Sequence, residues 1–108
     1  MSYKYEHAKL VRVVDGDTVV LEIDMGNHVL WKARFRLAGL DAPDKGQPGH
    51  EEARKFLWEE TKGGVSLVET FKPDKYGRWL SELYVDGVSI NAKMIAAGLA
   101  VPYFGGRR

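Results

Sequence analysis

The sequence has no cysteine, no long hydrophobic run and no large excess of either charge, and each absence excludes a class of protein. Without cysteine there are no disulfides and no thiolate metal sites, as expected in a reducing compartment. No apolar run approaches the roughly 20 residues of a membrane span, so we expect no membrane partner. Sixteen basic and fifteen acidic residues give a net charge of +1. A protein that resides on DNA is strongly basic, so any contact with nucleic acid is expected to be local and transient.

The length and composition indicate a small globular protein. The 108 residues fit one domain, and 44% are hydrophobic while 29% are charged. We expect a single domain over residues 1–108, with its core at about 8–104, and a monomer. The first ten residues, MSYKYEHAKL, contain no apolar signal-peptide region, which favours a cytoplasmic protein. A mature secreted form without its leader remains an alternative.

Short strands and two helices account for most of the chain. Alternating apolar and polar residues and turn dipeptides predict strands at 10–14, 18–25, 29–37, 65–71 and 79–85. Helices are predicted at 50–62, which Gly63 and Gly64 end, and at 90–97, with Ser89 as the N-cap. This mainly β order, with one helix between the third and fourth strands, matches the five-stranded Greek-key barrel called the OB-fold. A split α+β sheet is the structural alternative.

The segment VVDGDTV, residues 13–19, places two aspartates at a predicted turn between two apolar strands. Asp15 and Gly16 already form a common turn signal. Asp17 is not needed for the turn, so it is a candidate for another role.

Six charged residues lie at or near strand ends, at positions that a closed barrel would bring to one rim: Asp15, Asp17, Arg36, Asp41, Asp44 and Arg78. Neighbouring carboxylates repel one another unless a cation lies between them, and oxygen ligands favour Ca²⁺ or Mg²⁺. Arginines match phosphate geometry and remain charged. A cation, two arginines and a further carboxylate are the groups that phosphodiester hydrolysis requires.

Four segments, VVDGDTV, FRLAGLDAPD, DKYGR and LYVDGVSINAKMIAAGLA, resemble in this order the staphylococcal nuclease (thermonuclease-like) family. The similarity extends over about residues 8–104. It implies an OB-fold and a Ca²⁺-dependent endonuclease that hydrolyses DNA and RNA, preferably single-stranded, to products with a 3′-phosphate.

The resemblance also implies roles for individual residues. The expected calcium ligands are Asp17, Asp41 and the backbone carbonyl of Ala42, which stands where the family usually has threonine. Arg36 and Arg78 are the expected phosphate-binding catalytic arginines. Tyr76 and Tyr103 are expected to line the nucleotide pocket, although the chain is one residue shorter before Tyr103 than the family pattern.

Asp44 is the main departure from the family, which has glutamate as the general base at this position. Aspartate is shorter by one methylene, and a misplacement of about 1 Å can cost on the order of 10²-fold in rate. We therefore expect a slower nuclease, or a loop that has moved to compensate.

Two other functions remain alternatives. An OB-fold module that binds single-stranded nucleic acid or a protein without cleavage is favoured by Asp44. A calcium-binding structural domain accounts for the acids but not for the arginines. Taken without the resemblance, Arg36 would be interpreted as a solvated strand residue like Lys32 and Arg34.

Overall fold

The structure is a computed structural model that describes residues 2–103. These described residues form eight strands and two helices: β1 Tyr3–Asp15, β2 Thr18–Asp24, β3 Leu30–Leu37, β4 Leu40–Asp41, α1 His50–Thr61, β5 Val65–Pro73, β6 Trp79–Val85, β7 Val88–Ser89, α2 Ile90–Ala96 and β8 Val101–Pro102. Within this described part, neither helix is long and apolar enough to cross a membrane.

The long strands form a closed five-stranded barrel. The sheet order is β3-β2-β1-β5-β6-β7, with antiparallel neighbours, and a parallel pairing of β3 with β6 closes it. In that pairing Phe35 lies opposite Trp79 and Leu37 lies opposite Ser81. This confirms the predicted OB-fold, and the alternative of a split α+β sheet is wrong because the sheet closes on itself.

The period-two pattern of the sequence positions the core. Val19, Leu21 and Ile23 of β2 are fully buried, as are Phe35 and Leu37 of β3. Both helices cover the barrel with further buried side chains: Ala53 and Leu57 from α1, and Ile90 and Met94 from α2. Each such large apolar side chain contributes about 1.5–3 kcal/mol to stability through burial.

The first strand is much longer than predicted, because it begins at Tyr3 rather than at residue 10. Its first half pairs with β5, from Tyr3 opposite Thr70 to Ala8 opposite Val65, while its second half pairs with β2. The segment before Ala8 has few aliphatic residues, so its strand conformation depends on a partner that is distant in sequence.

Other predicted bounds also change. β2 ends one residue before its predicted limit, and β3 begins one residue after its predicted start. Met25 and Val29 therefore lie outside the strands, and they are 45% and 54% exposed. The strand predicted at 65–71 corresponds to β5, which continues to Pro73. The short strands β4, β7 and β8 were not predicted. Ser89 is the N-cap of α2, where its Oγ accepts a hydrogen bond from the Ala92 amide at 3.1 Å. The expected end of the core, Phe104, lies outside the described residues.

Gly16 is required where three segments meet. A Cβ atom built on Gly16 would lie 2.7 Å from the Cβ of Ala53 and 3.0 Å from the Cβ of Ala42. The turn between β1 and β2 therefore packs directly against α1 and against the loop after β4. This contact holds the adjacent Asp17 in place.

The close packing predicts that Gly16→Ala destabilises the protein by about 1–3 kcal/mol, the usual cost of overpacking. Denaturant unfolding of the variant measures this loss. Adding Ala53→Gly removes the nearer clash and should recover part of the stability, although glycine within α1 costs about 1 kcal/mol. An unchanged midpoint for Gly16→Ala would contradict the observed contact.

Candidate functional site

One cleft of about 270 Å³ brings together the six charged residues that the sequence placed at or near strand ends. It is lined by Asp15, Asp17, Arg36, Asp41, Pro43, Asp44, Lys45 and Arg78. Asp15, which the sequence analysis assigned to the turn, ends β1 and also lines this cleft.

The barrel strands determine where these side chains meet. Asp17 lies in the two-residue turn that joins β1 to β2, and its carbonyl accepts a hydrogen bond from the Leu37 amide at 2.8 Å. Arg36 pairs with Thr18 across β2 and β3, and Asp41 ends β4, directly after β3. Because neighbouring residues of a strand point to opposite faces, Arg36 faces away from the core residues Phe35 and Leu37.

The Arg36 guanidinium connects both candidate metal ligands. Its Nη2 lies 3.3 Å from Asp17 Oδ2 and 3.2 Å from Asp41 Oδ1. Its Nη1 donates to the carbonyls of Leu37 and Leu40, each at 3.2 Å. The side chain is only 11% exposed, so the interpretation of Arg36 as a solvated residue is wrong.

Asp17 is buried among hydrogen-bond donors. Besides Arg36, its carboxylate accepts from the Thr18 hydroxyl at 3.1 Å and from the Ala42 amide at 3.3 Å. Ala42 thus contacts the site through its N–H group. The predicted role of the Ala42 carbonyl as a metal ligand stays a prediction.

The donor chemistry of the cleft fits an oxygen-ligated cation. Two carboxylates converge closely enough for one positively charged nitrogen to contact both, so the position between them favours positive charge. Within residues 2–103 no group of three or more His, Cys, Asp or Glu side chains is arranged to hold a metal. A cation here would need ligands beyond the two carboxylates, and Ca²⁺ accepts backbone carbonyls and water.

Arg78 is held by an acid that the sequence analysis did not select. Asp74 Oδ2 accepts from Arg78 Nε at 2.8 Å and lies 2.7 Å from Nη2, while Asp74 Oδ1 accepts from the amides of Tyr76 and Arg78. Arg78 Nη1 also lies 3.5 Å from the Thr18 hydroxyl. Asp74 therefore fixes both the turn before β6 and the direction of the guanidinium.

The pKa of Asp74 reflects these contacts. Partial burial by itself would raise it, but the hydrogen bonds from Arg78 and the Tyr76 amide, with the charge of Arg78, hold the pKa of Asp74 below its usual value. Asp74 is consequently ionised at neutral pH, where it maintains its ion pair with Arg78.

Asp44 and the two tyrosines differ in how they relate to the cleft. Asp44 is exposed and lines it. Tyr76 is 71% exposed, and its ring centroid lies 5.3 Å from the Arg78 guanidinium carbon. Tyr103 follows β8, and its amide donates to the Gly39 carbonyl at 2.9 Å. As far as residues 2–103 define the lining, it includes neither tyrosine, so their binding roles stay predictions.

Sequence reasoning missed three residues that shape the site: Lys45, His50 and Asp74. Lys45 adds a positive charge to the cleft. His50 is buried, and its Nδ1 lies 3.0 Å from the Pro43 carbonyl, which only accepts, so this nitrogen carries the proton. The spacing of Asp74 four residues before Arg78 was a usable signal, whereas His50 gave none.

Cavity size alone does not identify this site. A larger cavity of about 710 Å³ lies between β1, the end of α1 and β5, where its lining includes His7, Glu59 and Gly64. It contains none of the predicted site residues. Three acidic residues line this cavity, of which Glu59 is paired with Lys62 at 2.9 Å and Glu60 with Lys93. The smaller cleft instead gathers acids and arginines around one point.

Comparison with known proteins agrees with the observed fold. The family model described as "Staphylococcal nuclease homologue" matches residues 34–108. An uncharacterized endonuclease of Escherichia coli O157:H7 is 36% identical over 98 residues, covering 90% of this chain and 61% of the relative. A probable staphylococcal-like nuclease of Oryza sativa subsp. japonica is 37% identical over 79 residues, covering 72% of this chain and 24% of the relative.

The chain spans about three fifths of the length of the Escherichia coli relative. The family match includes Arg36, Asp41, Asp44 and Arg78, while Asp17 lies before its first residue. The barrel, the cleft and the extent of the match lead to one assignment: the chain belongs to the staphylococcal nuclease family.

Proposed function

We propose that this domain is a calcium-dependent endonuclease that hydrolyses single strands of DNA and RNA to products with a 3′-phosphate, and that it acts as a monomer. The observation that carries the proposal is the convergence of two arginines with the carboxylates of Asp17, Asp41 and Asp44 on one small cleft. A polyanion is not expected to bind beside several acids unless charge is balanced there, which argues for a cation as the cofactor.

The proposed cation site consists of Asp17, Asp41 and the Ala42 carbonyl. When bound there, Ca²⁺ supplies positive charge that stabilises the charge growing on the phosphate oxygens. Arg78 is the second source of such stabilisation. Its guanidinium has five N–H groups, and the contacts with Asp74 and Thr18 use three of them. The remaining two are available for a phosphate.

Arg36 is less available than Arg78. Its Nη1 is taken up by two carbonyls and its Nη2 by two carboxylates, which leaves the Nε–H group. A phosphate that binds Arg36 in bidentate geometry must therefore displace Nη2 from at least one carboxylate.

Asp44 is the proposed general base. Cleavage to a 3′-phosphate breaks the bond between phosphorus and the 5′-oxygen. The attacking water supplies hydroxide to phosphorus and its proton to Asp44, and the 5′-oxygen leaves and takes up a proton. The exposure of Asp44 in the cleft suits a group that must reach a water molecule.

A binding module without cleavage is the second candidate, and the position of Arg36 favours it. A guanidinium between Asp17 and Asp41 already compensates their charge without a metal. In that case, the cleft would bind a phosphate mainly through Arg78 and would not hydrolyse it.

The proposal predicts that heat-denatured DNA is cleaved with Ca²⁺ and is left intact with a chelator. Asp17→Asn and Arg78→Ala should each lower kcat/KM on the order of 10²–10³-fold, because each removes a group that holds or supplies transition-state charge. Products that carry a 3′-phosphate are identified because phosphatase treatment removes that group. Asp24→Asn, which changes an exposed acid at the end of β2, is the matched control and should cleave normally. Intact DNA with measurable affinity would support the binding module.

Asp44→Glu tests the departure from the family. The longer side chain should bring the carboxylate closer to the water and raise kcat, by up to on the order of 10²-fold. Single-turnover cleavage with and without the substitution measures the effect. An unchanged or slower rate would show that Asp44 is not a shortened base.

Asp74→Asn should lower kcat/KM by misdirecting Arg78, and should destabilise the protein by about 1–2 kcal/mol, since hydrogen bonds to a charged group are lost. The lowered pKa means that Asp74 stabilises the fold at neutral pH and loses this effect as the pH falls below about 4. The stability difference from the unmodified protein should therefore shrink in acid, as measured by urea unfolding between pH 3 and pH 7. Asp86→Asn, in the exposed turn between β6 and β7, is the control. A difference that stays constant with pH would contradict the charge-dependent role.

A further inference from the structure

The outer face of β1, β2 and β3 carries two rows of basic residues next to the cleft. Val20 of β2 pairs with Arg12 of β1 on one side and with Arg34 of β3 on the other. In the next row, Glu22 pairs in the same way with Lys9 and Lys32. We call the four residues Lys9, Arg12, Lys32 and Arg34 the basic face.

The charges of the basic face are not neutralised within the fold. All four side chains are exposed, and in the part of the chain from 2 to 103 none of them forms an ion pair or a side-chain hydrogen bond. Elsewhere, Arg54 of α1 and Lys62 at its C-terminal end are paired with glutamates of that helix. Glu22 is the acid within the second row, where it lies between Lys9 and Lys32. The basic face is thus a local concentration of charge in a chain whose net charge is only +1.

The basic face is continuous with the cleft. Arg36, Arg34 and Lys32 alternate along β3, so all three point outward at intervals of about 6.7 Å. Arg36 contacts both acids of the cleft, and the row formed by Arg12 and Arg34 follows immediately. The two arginines of that row are two strand spacings apart, about 9.6 Å. The basic charges thus form one narrow band that leads away from the cleft.

We propose that the basic face binds the phosphodiester backbone of a single strand on one side of the cleft, with neighbouring phosphates over the row of Arg12 and Arg34 and then over the row of Lys9 and Lys32. The position of the scissile phosphate at Arg36 and Arg78 is taken from the proposed function, on which this inference rests. The contacts carry no base recognition, because they are charges directed at phosphate. The basic face therefore extends the substrate site by about two nucleotides in a sequence-independent way.

The test measures binding with chelator present, so that it does not depend on cleavage. Fluorescence anisotropy gives the Kd of labelled 12-residue oligothymidylate and oligouridylate, and of a dinucleotide, between 50 and 300 mM salt. Arg12→Gln/Arg34→Gln should weaken binding of the 12-mers about tenfold or more at low salt. It should also reduce the slope of log K against log salt by about 1.4, since each phosphate contact on a single strand contributes about 0.7. The loss should be smaller for the dinucleotide.

Two further variants separate the proposal from general effects of charge and folding. Lys4→Gln/Lys55→Gln removes the same charge from exposed residues at the start of β1 and on α1, and should leave Kd and slope close to those of the unmodified protein. Arg12→Lys/Arg34→Lys keeps the charge and should restore the slope. The basic face would be overturned as a binding surface by either of two results. One is a loss of affinity in Lys4→Gln/Lys55→Gln equal to that in Arg12→Gln/Arg34→Gln, and the other is an unchanged slope in Arg12→Gln/Arg34→Gln. If Arg12→Gln/Arg34→Gln weakens binding but the unmodified protein cleaves nothing, the basic face is retained and the nuclease is refuted. If the unmodified protein cleaves normally but the slope is unchanged in Arg12→Gln/Arg34→Gln, the nuclease is retained and the basic face is refuted.

Discussion

The arrangement of the cleft depends on the guanidinium of Arg36. It joins the turn that carries Asp17, the end of β3 and the segment Leu40–Asp41, through contacts of 3.2–3.3 Å. Since the side chain is only 11% exposed, its charge is tolerable only when it is paired and hydrogen-bonded. Removing the guanidinium would take this positive charge away from both Asp17 and Asp41. The same contacts that stabilise this rim of the barrel therefore bring the candidate metal ligands together.

The two arginines of the cleft differ in their freedom. Arg36 is held by acids that are themselves proposed to bind a cation, so its availability for phosphate is coupled to the charge state of the cleft. Arg78 is held by Asp74, outside that group of acids, and keeps free N–H groups. Arg78 is consequently a ready anion-binding group, whereas Arg36 acts first as a structural connection. This difference explains why a nuclease and a pure binding module compete as explanations of one geometry.

The site residues lie on two kinds of structural element, barrel strands with their turns and a surface loop. Asp17 and Arg36 lie in a barrel turn and a barrel strand, where neighbouring pairing fixes their positions. Asp44 lies on the loop between β4 and α1, which is attached by the hydrogen bond of His50 to Pro43 and by Gln47, whose amide donates to the Asp44 carbonyl at 2.9 Å. The backbone of Asp44 is thus hydrogen-bonded within the loop while its side chain is exposed, and loops tolerate local adjustment to a shorter side chain more readily than strands do.

The sequence by itself determined the barrel and most of the acids and arginines of the cleft. Alternating apolar residues position the strands, because a side chain in a strand has only two directions, and Asp17, Arg36, Asp41, Asp44 and Arg78 were predicted as one cluster from their places at strand ends. The sequence could not show that β1 begins at Tyr3, since that half of the strand is formed by pairing with β5, about 60 residues further along the chain.

Only the tertiary structure decided how the site residues contact one another. Arg36 alternates with Lys32 and Arg34 and looks identical to them in sequence, yet its side chain is only 11% exposed. The segment after β3 folds back over it and presents two carbonyls and the Asp41 carboxylate, and the turn between β1 and β2 adds the Asp17 carboxylate. His50 likewise contributes to the site only through a tertiary contact, because it is buried and its Nδ1 lies 3.0 Å from the Pro43 carbonyl. Lys9, Arg12, Lys32 and Arg34 became one surface only through strand register, because charges that are far apart along the chain become neighbours when the strands pair.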